Sequence, residues 1–235
     1  MAVDNSSAAS SGTDPDHGTM VSSIIAGDSP TFIGVAPDAN LDFATFTDIN
    51  AMINATYRAI NNGYVAQNNS WGYDTQPIGN ASFQNVFSGP SGQAYLSALD
   101  TYASQGVVVF AVSNQTNAQH ATIMDALPYI RPSLEEGWIA VGNATPKFQG
   151  GNLTGVIMQS SSCLEAARWC ILADGAWDAA SGTSSTSYDF GVGSSFATPQ
   201  VSGALALLGQ AFPTLTPHEL RVRLLASANN SFFNA

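Results

Sequence analysis

Apolar and polar residues recur along the chain with two periods, one typical of helices and one typical of strands. In HGTMVSSIIAG, residues 17–27, the apolar positions lie on one face of a helix, and a glycine ends the pattern. ANLDFATF, residues 39–46, alternates like a strand. Further helices are predicted over 48–63 and 92–106, and further strands over 65–69, 107–112 and 138–141. This order predicts an α/β domain with a mostly parallel central sheet flanked by helices.

The segment GVGSSFATPQVSGALALL, residues 191–208, predicts a buried helix over 196–209, because its apolar residues leave no polar face. Ser195 directly precedes this helix, where free N–H groups and the helix dipole favour negative charge. Pro199 falls in or near the first turn, where its missing N–H costs little. A simple N-cap role for Ser194 or Ser195 explains the same pattern without any catalysis.

Three other polar stretches follow strands or begin helices, which is where α/β domains carry their active sites. DHGT places His17 at a helix start, and VVVFAVSN ends a buried strand with Asn114, whose amide can donate to an oxyanion. NNSWG ends another strand with Ser70, Trp71 and Gly72, an exposed strip that can pair with an extended peptide. Taken singly, these are also a capping histidine, a turn asparagine and a packed tryptophan.

Length and charge restrict the function further. The 235 residues fit one domain over 1–235, and the 45% hydrophobic content suits a folded core. No apolar stretch approaches the roughly 20 residues that a membrane span needs. The net charge of −11 repels phosphate backbones and anionic membranes, so nucleic acid is not an expected partner.

The two cysteines, Cys163 and Cys170, enclose Trp169. Their spacing does not match the usual zinc pairings and no second ligand pair is present, so neither a metal site nor a cofactor is expected. A disulfide closing a small loop is favoured and indicates an oxidising compartment. Two buried free thiols are the alternative.

Three motifs together resemble those of the subtilases, the subtilisin-like serine peptidases. HGTMVSSIIAG resembles HGTxVAGxIAG, GVAPDANL resembles GVAPxAxL, and GSSFATPQVSGALALL resembles GTSMATPHVAGAAALL, over about residues 16–225. The resemblance implies a three-layer subtilisin-like fold, with Ser195 as nucleophile and His17 as general base. It also implies an oxyanion hole formed by the Ser195 N–H and the Asn114 side chain, and a substrate strand beside residues 70–72.

The family pattern also requires an aspartate before the histidine, normally in D-[ST]-G at the end of a strand. Asp4, in MAVDNSS, is the upstream candidate, although Met1–Val3 make a very short strand and the interval to His17 is short. The alternative expectation is that the aspartate precedes this chain. The domain would then be truncated at both ends, and residues 1–235 alone would be poorly active.

Three segments resemble the subtilase passengers of Gram-negative autotransporters: LPYIRPSLEEGWIAVGNA, SSSCLEAARWCILA and ALALLGQAFPTLTPHELRVRLLASA. This resemblance implies secretion, a cysteine pair around WC, and display at or release from the outer membrane, linked to a β-barrel outside this chain. We therefore expect a secreted serine endopeptidase acting on polypeptides. The alternative is a catalytically incomplete relative, a surface binding or adhesion module.

Overall fold

A computed structural model describes the backbone of residues 2–5 and 15–16, and residues 17–182, 184 and 186–229 with their side chains. The strands are β1 (Ala2–Asn5), β2 (Asn40–Phe43), β3 (Ala66–Asn69), β4 (Val107–Ala111), β5 (Trp138–Gln149), β6 (Asn152–Met158), β7 (Cys170–Ala173), β8 (Ala176–Ala180) and β9 (Tyr188–Val192). The helices are α1 (Pro15–Ala26), α2 (Ile49–Asn62), α3 (Asn80–Phe87), α4 (Pro90–Ala103), α5 (Leu127–Ile130), α6 (Ser194–Ala211) and α7 (Pro217–Ser227). Two 3₁₀ helices lie at Pro132–Gly137 and Leu164–Trp169.

The central sheet is parallel in the order β2-β1-β3-β4-β5-β7. The second half of β5 leaves this arrangement and pairs with β6 as an antiparallel hairpin, and β8 and β9 form a separate antiparallel pair. The predicted α/β class with a mostly parallel sheet is confirmed.

Strand β1 forms although Met1–Val3 is short. Its residues pair with β2 on one side and β3 on the other, so β1 is an inner strand. Asp4 stands one residue before the end of β1, level with Asp42 and Gln67. The Asp4 side chain lies outside the described residues, so its predicted role stays a prediction.

Strand β4 shows how the sheet separates two cores. All five of its residues are buried, as its continuous apolar run predicted. Because side chains alternate along a strand, Val108 and Phe110 join a core with α2 and α4, while Val107 and Val109 join a second core with α6. The result is a three-layer arrangement with α6 buried on one side of the sheet.

The helix ends follow local signals. Asp48 caps α2, its carboxylate accepting from the Asn50 N–H at 2.8 Å, and Gly63 ends that helix with a φ of 63°. Helix α6 starts two residues earlier than predicted, and Leu207 near its end is 41% exposed, so its burial is not complete. In the part of the chain that the structure describes, no helix has the length and apolar character to cross a membrane.

Candidate active site

The turn between β9 and α6 forms the centre of the site. Gly193 precedes the helix with an extended backbone, and Ser194 is the first helical residue. A Cβ at Gly193 would lie 3.3 Å from two side-chain atoms of Asn114, closer than an ordinary contact, so a larger residue would push the amide away. The glycine therefore lets Asn114, just beyond the end of β4, approach the start of α6.

Pro199 lies in the second turn of α6 rather than in or near the first, because the helix starts two residues earlier than the sequence predicted. Because proline has no N–H, it cannot donate to the carbonyl of Ser195, four residues earlier. The Ser70 hydroxyl supplies the missing donor at 2.8 Å from that carbonyl oxygen. The helix tolerates its proline because a side chain at the end of the sheet replaces the lost hydrogen bond.

This contact is reciprocal and continues into the protein. The Ser195 Oγ donates to the Ser70 carbonyl at 3.1 Å. Behind Ser70, the Asn68 Nδ2 donates to the Ser70 Oγ at 3.0 Å, and the Ser202 Oγ donates to the Asn68 Oδ1 at 2.9 Å. Ser70, Asn68 and Ser202 are all buried. A paired, buried network of this kind holds its members rigidly, so the end of β3 fixes the turn that carries Ser195.

Ser194 orients the Asn114 amide. The Ser194 N–H donates to the Asn114 Oδ1 at 2.9 Å, and the Ser194 Oγ lies 3.0 Å from the same oxygen. Since a backbone N–H requires an acceptor, the amide oxygen must face Ser194 and the NH₂ group must point elsewhere. Ser194 itself is buried, with its hydroxyl 2.6 Å from the Val112 carbonyl. It therefore acts as a support, a role that the sequence did not reveal.

A second donor is close to Asn114. The backbone N–H of Ser195 has no acceptor among the described residues, as is usual in the first turn of a helix. Ser195 and the exposed Asn114 both line one cavity. The positive end of the α6 dipole adds to them, so the turn suits a negatively charged oxygen.

His17 lies in the first turn of α1, as predicted, and α1 packs against α6. The imidazole is half-buried and its centroid is 5.5 Å from that of Phe196, the residue after Ser195. The fold therefore brings His17 to the start of α6 from the other end of the sequence.

The strip at residues 70–72 differs from the exposed segment that the sequence predicted. Ser70 and Trp71 are buried, and the indole packs edge-on against Phe110 with ring centroids 5.2 Å apart. Gly72 is exposed and its backbone makes no hydrogen bond to the described residues. Trp71 thus packs as a core residue would, and Gly72 offers free backbone.

A cavity of about 170 Å³ opens beside Ser195. Its walls come from the segment after β3, the end of β4 and the residues that follow it, Thr122, and the first two residues of α6. The lining residues are Trp71, Gly72, Asp74, Ala111, Val112, Ser113, Asn114, Thr122, Ser194 and Ser195. A side chain of a bound peptide could enter this cavity next to the nucleophile candidate.

Asp125 lies behind the cavity wall. The Thr122 Oγ1 donates to the Asp125 Oδ1 at 2.9 Å, while the buried Asp125 Oδ2 has no hydrogen-bond partner among the described residues. Burial raises the pKa of this carboxyl to about 7. The sequence analysis did not single out Asp74, Thr122 or Asp125. An acid within the apolar ATIMDALPYI was the available signal for Asp125.

Cys163 and Cys170 form a disulfide, as predicted, with their Cα atoms 6.0 Å apart. The loop that they close contains Trp169, whose buried indole N–H donates to the Asp125 carbonyl at 3.0 Å. It also contains Glu165, which accepts from the Ala121 N–H at 2.8 Å. The disulfide loop thus supports the segment that forms one wall of the cavity.

No group of three or more histidine, cysteine, aspartate or glutamate side chains that could hold a metal ion occurs among the described residues.

The comparisons of this sequence with known proteins agree with one another. The subtilase family model matches residues 3–235. Subtilisin DY of Bacillus licheniformis is 30% identical over 219 residues, covering 91% of this chain and 70% of that protein. Subtilisin NAT of Bacillus subtilis subsp. natto is 29% identical over 234 residues, covering 92% of this chain and about half, 52%, of that protein.

Solved structures agree on the fold. The prenylagaramide maturation protease PagA has a TM-score of 0.69 and 23% identity, covering 97% of this chain and 82% of its own. Sphericase has a TM-score of 0.67 and 24% identity, covering 96% of this chain and 74% of its own.

Proposed function

The chain belongs to the subtilase family of subtilisin-like serine peptidases, and we propose that it is a serine endopeptidase with Ser195 as nucleophile and His17 as general base. The observation that carries the proposal is the turn before α6. There, Ser70 holds Ser195 at the helix start, and Ser194 holds the Asn114 amide with its donors facing away from the helix. A polar arrangement of this rigidity suits a site that must bind a developing charge.

The chemistry follows from these positions. To attack, the Ser195 hydroxyl leaves the Ser70 carbonyl and gives its proton to His17, while its oxygen bonds to the peptide carbonyl carbon. The carbonyl oxygen becomes an oxyanion, which accepts from the Ser195 N–H and the Asn114 Nδ2. His17 then returns the proton to the amine nitrogen as the C–N bond breaks, which leaves the acyl-enzyme. Water next attacks the acyl carbon and gives a proton to His17, and the bond to the Ser195 oxygen breaks as that oxygen takes the proton back.

We propose Asp4 as the group that orients His17. Strand β1 lies inside the parallel sheet, Asp4 is close to its carboxyl end, and α1 with His17 follows and packs against it. An ionised carboxylate here would fix the histidine tautomer and balance the imidazolium formed during attack. Replacing Asp4 with asparagine should lower kcat by roughly 10⁴-fold. An unchanged kcat would assign the orienting carboxylate to another residue.

The peptide is proposed to bind along residues 70–72, with Gly72 supplying the free backbone for β-augmentation. Ser70 and Trp71 contribute by holding this backbone in place rather than through exposed side chains. Main-chain recognition of this kind accepts many sequences, so selectivity must come from side-chain cavities.

We propose export of the protein, as in the autotransporter subtilases that its sequence resembles. The Cys163–Cys170 disulfide supports this, because such bonds persist in oxidising compartments. Free thiols in protein recovered from the periplasm or the medium would contradict export in the oxidised form.

A fluorophosphonate probe tests the proposed nucleophile. The full chain should be labelled at Ser195, and Ser195→Ala should lose both labelling and peptide hydrolysis. Ser194→Ala is the matched control, since it removes a neighbouring hydroxyl and should still be labelled. Labelling at Ser194 would overturn the assignment, and a folded chain that neither labels nor hydrolyses peptides would instead be a binding module.

A further inference from the structure

The cavity beside Ser195 has a defined relation to the substrate, provided that the proposed function holds. The residue whose carbonyl Ser195 attacks must lie within bonding distance of the hydroxyl, with its oxygen at Asn114. Both residues line the cavity. The side chain of that substrate residue is therefore the one that enters it.

The charge of the cavity is negative. Among its described lining residues Asp74 is the one that is charged, and its carboxylate is exposed. No arginine, lysine or histidine of the described residues forms a salt bridge with Asp74. A bound cation would therefore not have to displace an existing partner.

The wall behind the cavity also presents acceptors. The Thr122 hydroxyl uses its proton on Asp125, so its oxygen can only accept from a ligand in the cavity. Behind Thr122, the unpartnered Asp125 oxygen adds negative potential whenever that carboxyl is ionised.

An apolar side chain would not satisfy this wall. It would cover the Thr122 oxygen without offering a donor, and it would desolvate Asp74. A lysine or arginine brings several N–H donors, and its methylene stem can pack against Trp71, Ala111 and Val112. The whole chain favours the same ligand, because its net charge of −11 attracts cationic peptides.

We propose that this cavity selects substrates with lysine or arginine at the residue whose carbonyl is attacked, and that Asp74 is the specificity-determining carboxylate. A bound lysine or arginine pairs the acceptors of the cavity, whereas an uncharged side chain leaves them unpaired. The specificity is the difference in free energy between these two complexes. Sequence patterns did not suggest it, because Asp74 becomes a cavity residue only through the chain segment after β3.

The test uses peptides that differ only at that residue: arginine, lysine, citrulline and leucine. Citrulline has the shape of arginine without its charge. The full chain should cleave the arginine peptide with a kcat/KM at least about tenfold above the citrulline peptide. Asp74→Asn should remove most of this ratio.

Asp178→Asn is the matched control, since Asp178 is an exposed acid on β8 and its substitution changes the net charge by the same amount. It should keep the arginine-to-citrulline ratio. A wild-type preference for leucine, or a ratio unaffected by Asp74→Asn, would overturn the proposal.

A binding measurement separates this proposal from the proposed function. Benzamidine, a planar cation, should bind the full chain by calorimetry, and more weakly to Asp74→Asn than to Asp178→Asn. Benzamidine binding without fluorophosphonate labelling would support the cavity and refute the peptidase. Fluorophosphonate labelling together with benzamidine binding that does not depend on Asp74 would support the peptidase and refute the cavity proposal.

Discussion

Asn114 has one structural contact and one proposed catalytic role, which a substitution can separate. Its Oδ1 accepts from the Ser194 N–H, which is a structural contact, and its NH₂ group is the proposed oxyanion donor. Asn114→Asp keeps the acceptor and removes the donors, whereas Asn114→Ala removes both. The two variants therefore test the catalytic donor apart from the support of the turn.

We expect both variants to lose kcat by on the order of 10²–10³-fold with KM nearly unchanged, since the donors act on the transition state. The measurement is steady-state hydrolysis, with active sites counted by fluorophosphonate. Asn114→Asp should unfold at a denaturant concentration close to wild type. An effect confined to KM would place Asn114 in ground-state binding instead.

Asp125 should make stability depend on pH. Burial raises its pKa from the ordinary 3.8 to about 7, so between these values the folded protein holds a proton that the unfolded chain has lost. Because the pKa of Asp125 is raised in the folded protein, this carboxyl contributes its full stabilisation to the fold below the unfolded pKa of 3.8. That contribution is lost as pH rises from there through about 7.

Asp125→Asn removes this titration. The free energy of unfolding of the variant, relative to wild type, should rise by roughly 2.5–3 kcal/mol between pH 5 and pH 8, because the wild type loses about 1.4 kcal/mol for each of the roughly two pH units between pH 5 and the folded pKa. Urea unfolding of both proteins at the two pH values measures it, and the subtraction removes the other titrating groups. A difference that is constant with pH would contradict the buried proton.

At the level of elements, the contact between β3 and α6 replaces a hydrogen bond that α6 cannot make for itself. Pro199 removes the donor for the Ser195 carbonyl, and Ser70 provides another. This relation predicts coupling between two residues far apart in sequence.

Ser70→Ala should lower the free energy of unfolding by about 1–3 kcal/mol, because it leaves a half-buried carbonyl unpaired. Adding Pro199→Ala restores an N–H four residues after Ser195, so the double variant should recover about 1 kcal/mol of that loss. Denaturant unfolding of the wild type, both single variants and the double variant completes the cycle. Strict additivity would mean that the proline does not matter to this carbonyl.

Local signals in the sequence predicted the elements that have a strong period or cap. The buried strand β4, the capped helix α2 and the apolar helix α6 were located to within a few residues. The β5–β6 and β8–β9 hairpins and helix α3 were missed, because their short or exposed segments carry little periodic signal. Helix α7 was also missed, although Thr216 and Glu219 form a capping box and Pro217 stands at the helix start.

The sequence predicted a site residue only where that residue stands in a recognisable local motif. The positions of Ser195, His17 and Asn114 were proposed from such motifs. The roles of Ser70 and Ser194 depend on contacts between residues 80 or more positions apart, which no local pattern encodes.

For the molecule as a whole, the disulfide closes a loop whose residues support one wall of the cavity. Replacing both Cys163 and Cys170 with serine should lower the free energy of unfolding by about 2–3 kcal/mol, by relaxing the unfolded chain. Denaturant unfolding without reductant measures it. Wild type in reductant should match the double variant, and a variant as stable as oxidised wild type would contradict the prediction.

The loop that this bond closes has a consequence for the order in which the protein matures. The network that fixes Ser195 lies between β3 and α6 and contains no cysteine, whereas Trp169 and Glu165 hold the cavity wall from inside the disulfide loop. Before oxidation, the nascent protein would therefore have its proposed nucleophile assembled and its cavity wall loosely held. The proposed discrimination between substrates would then be the last property to be acquired, and it would arrive with the redox environment rather than with folding.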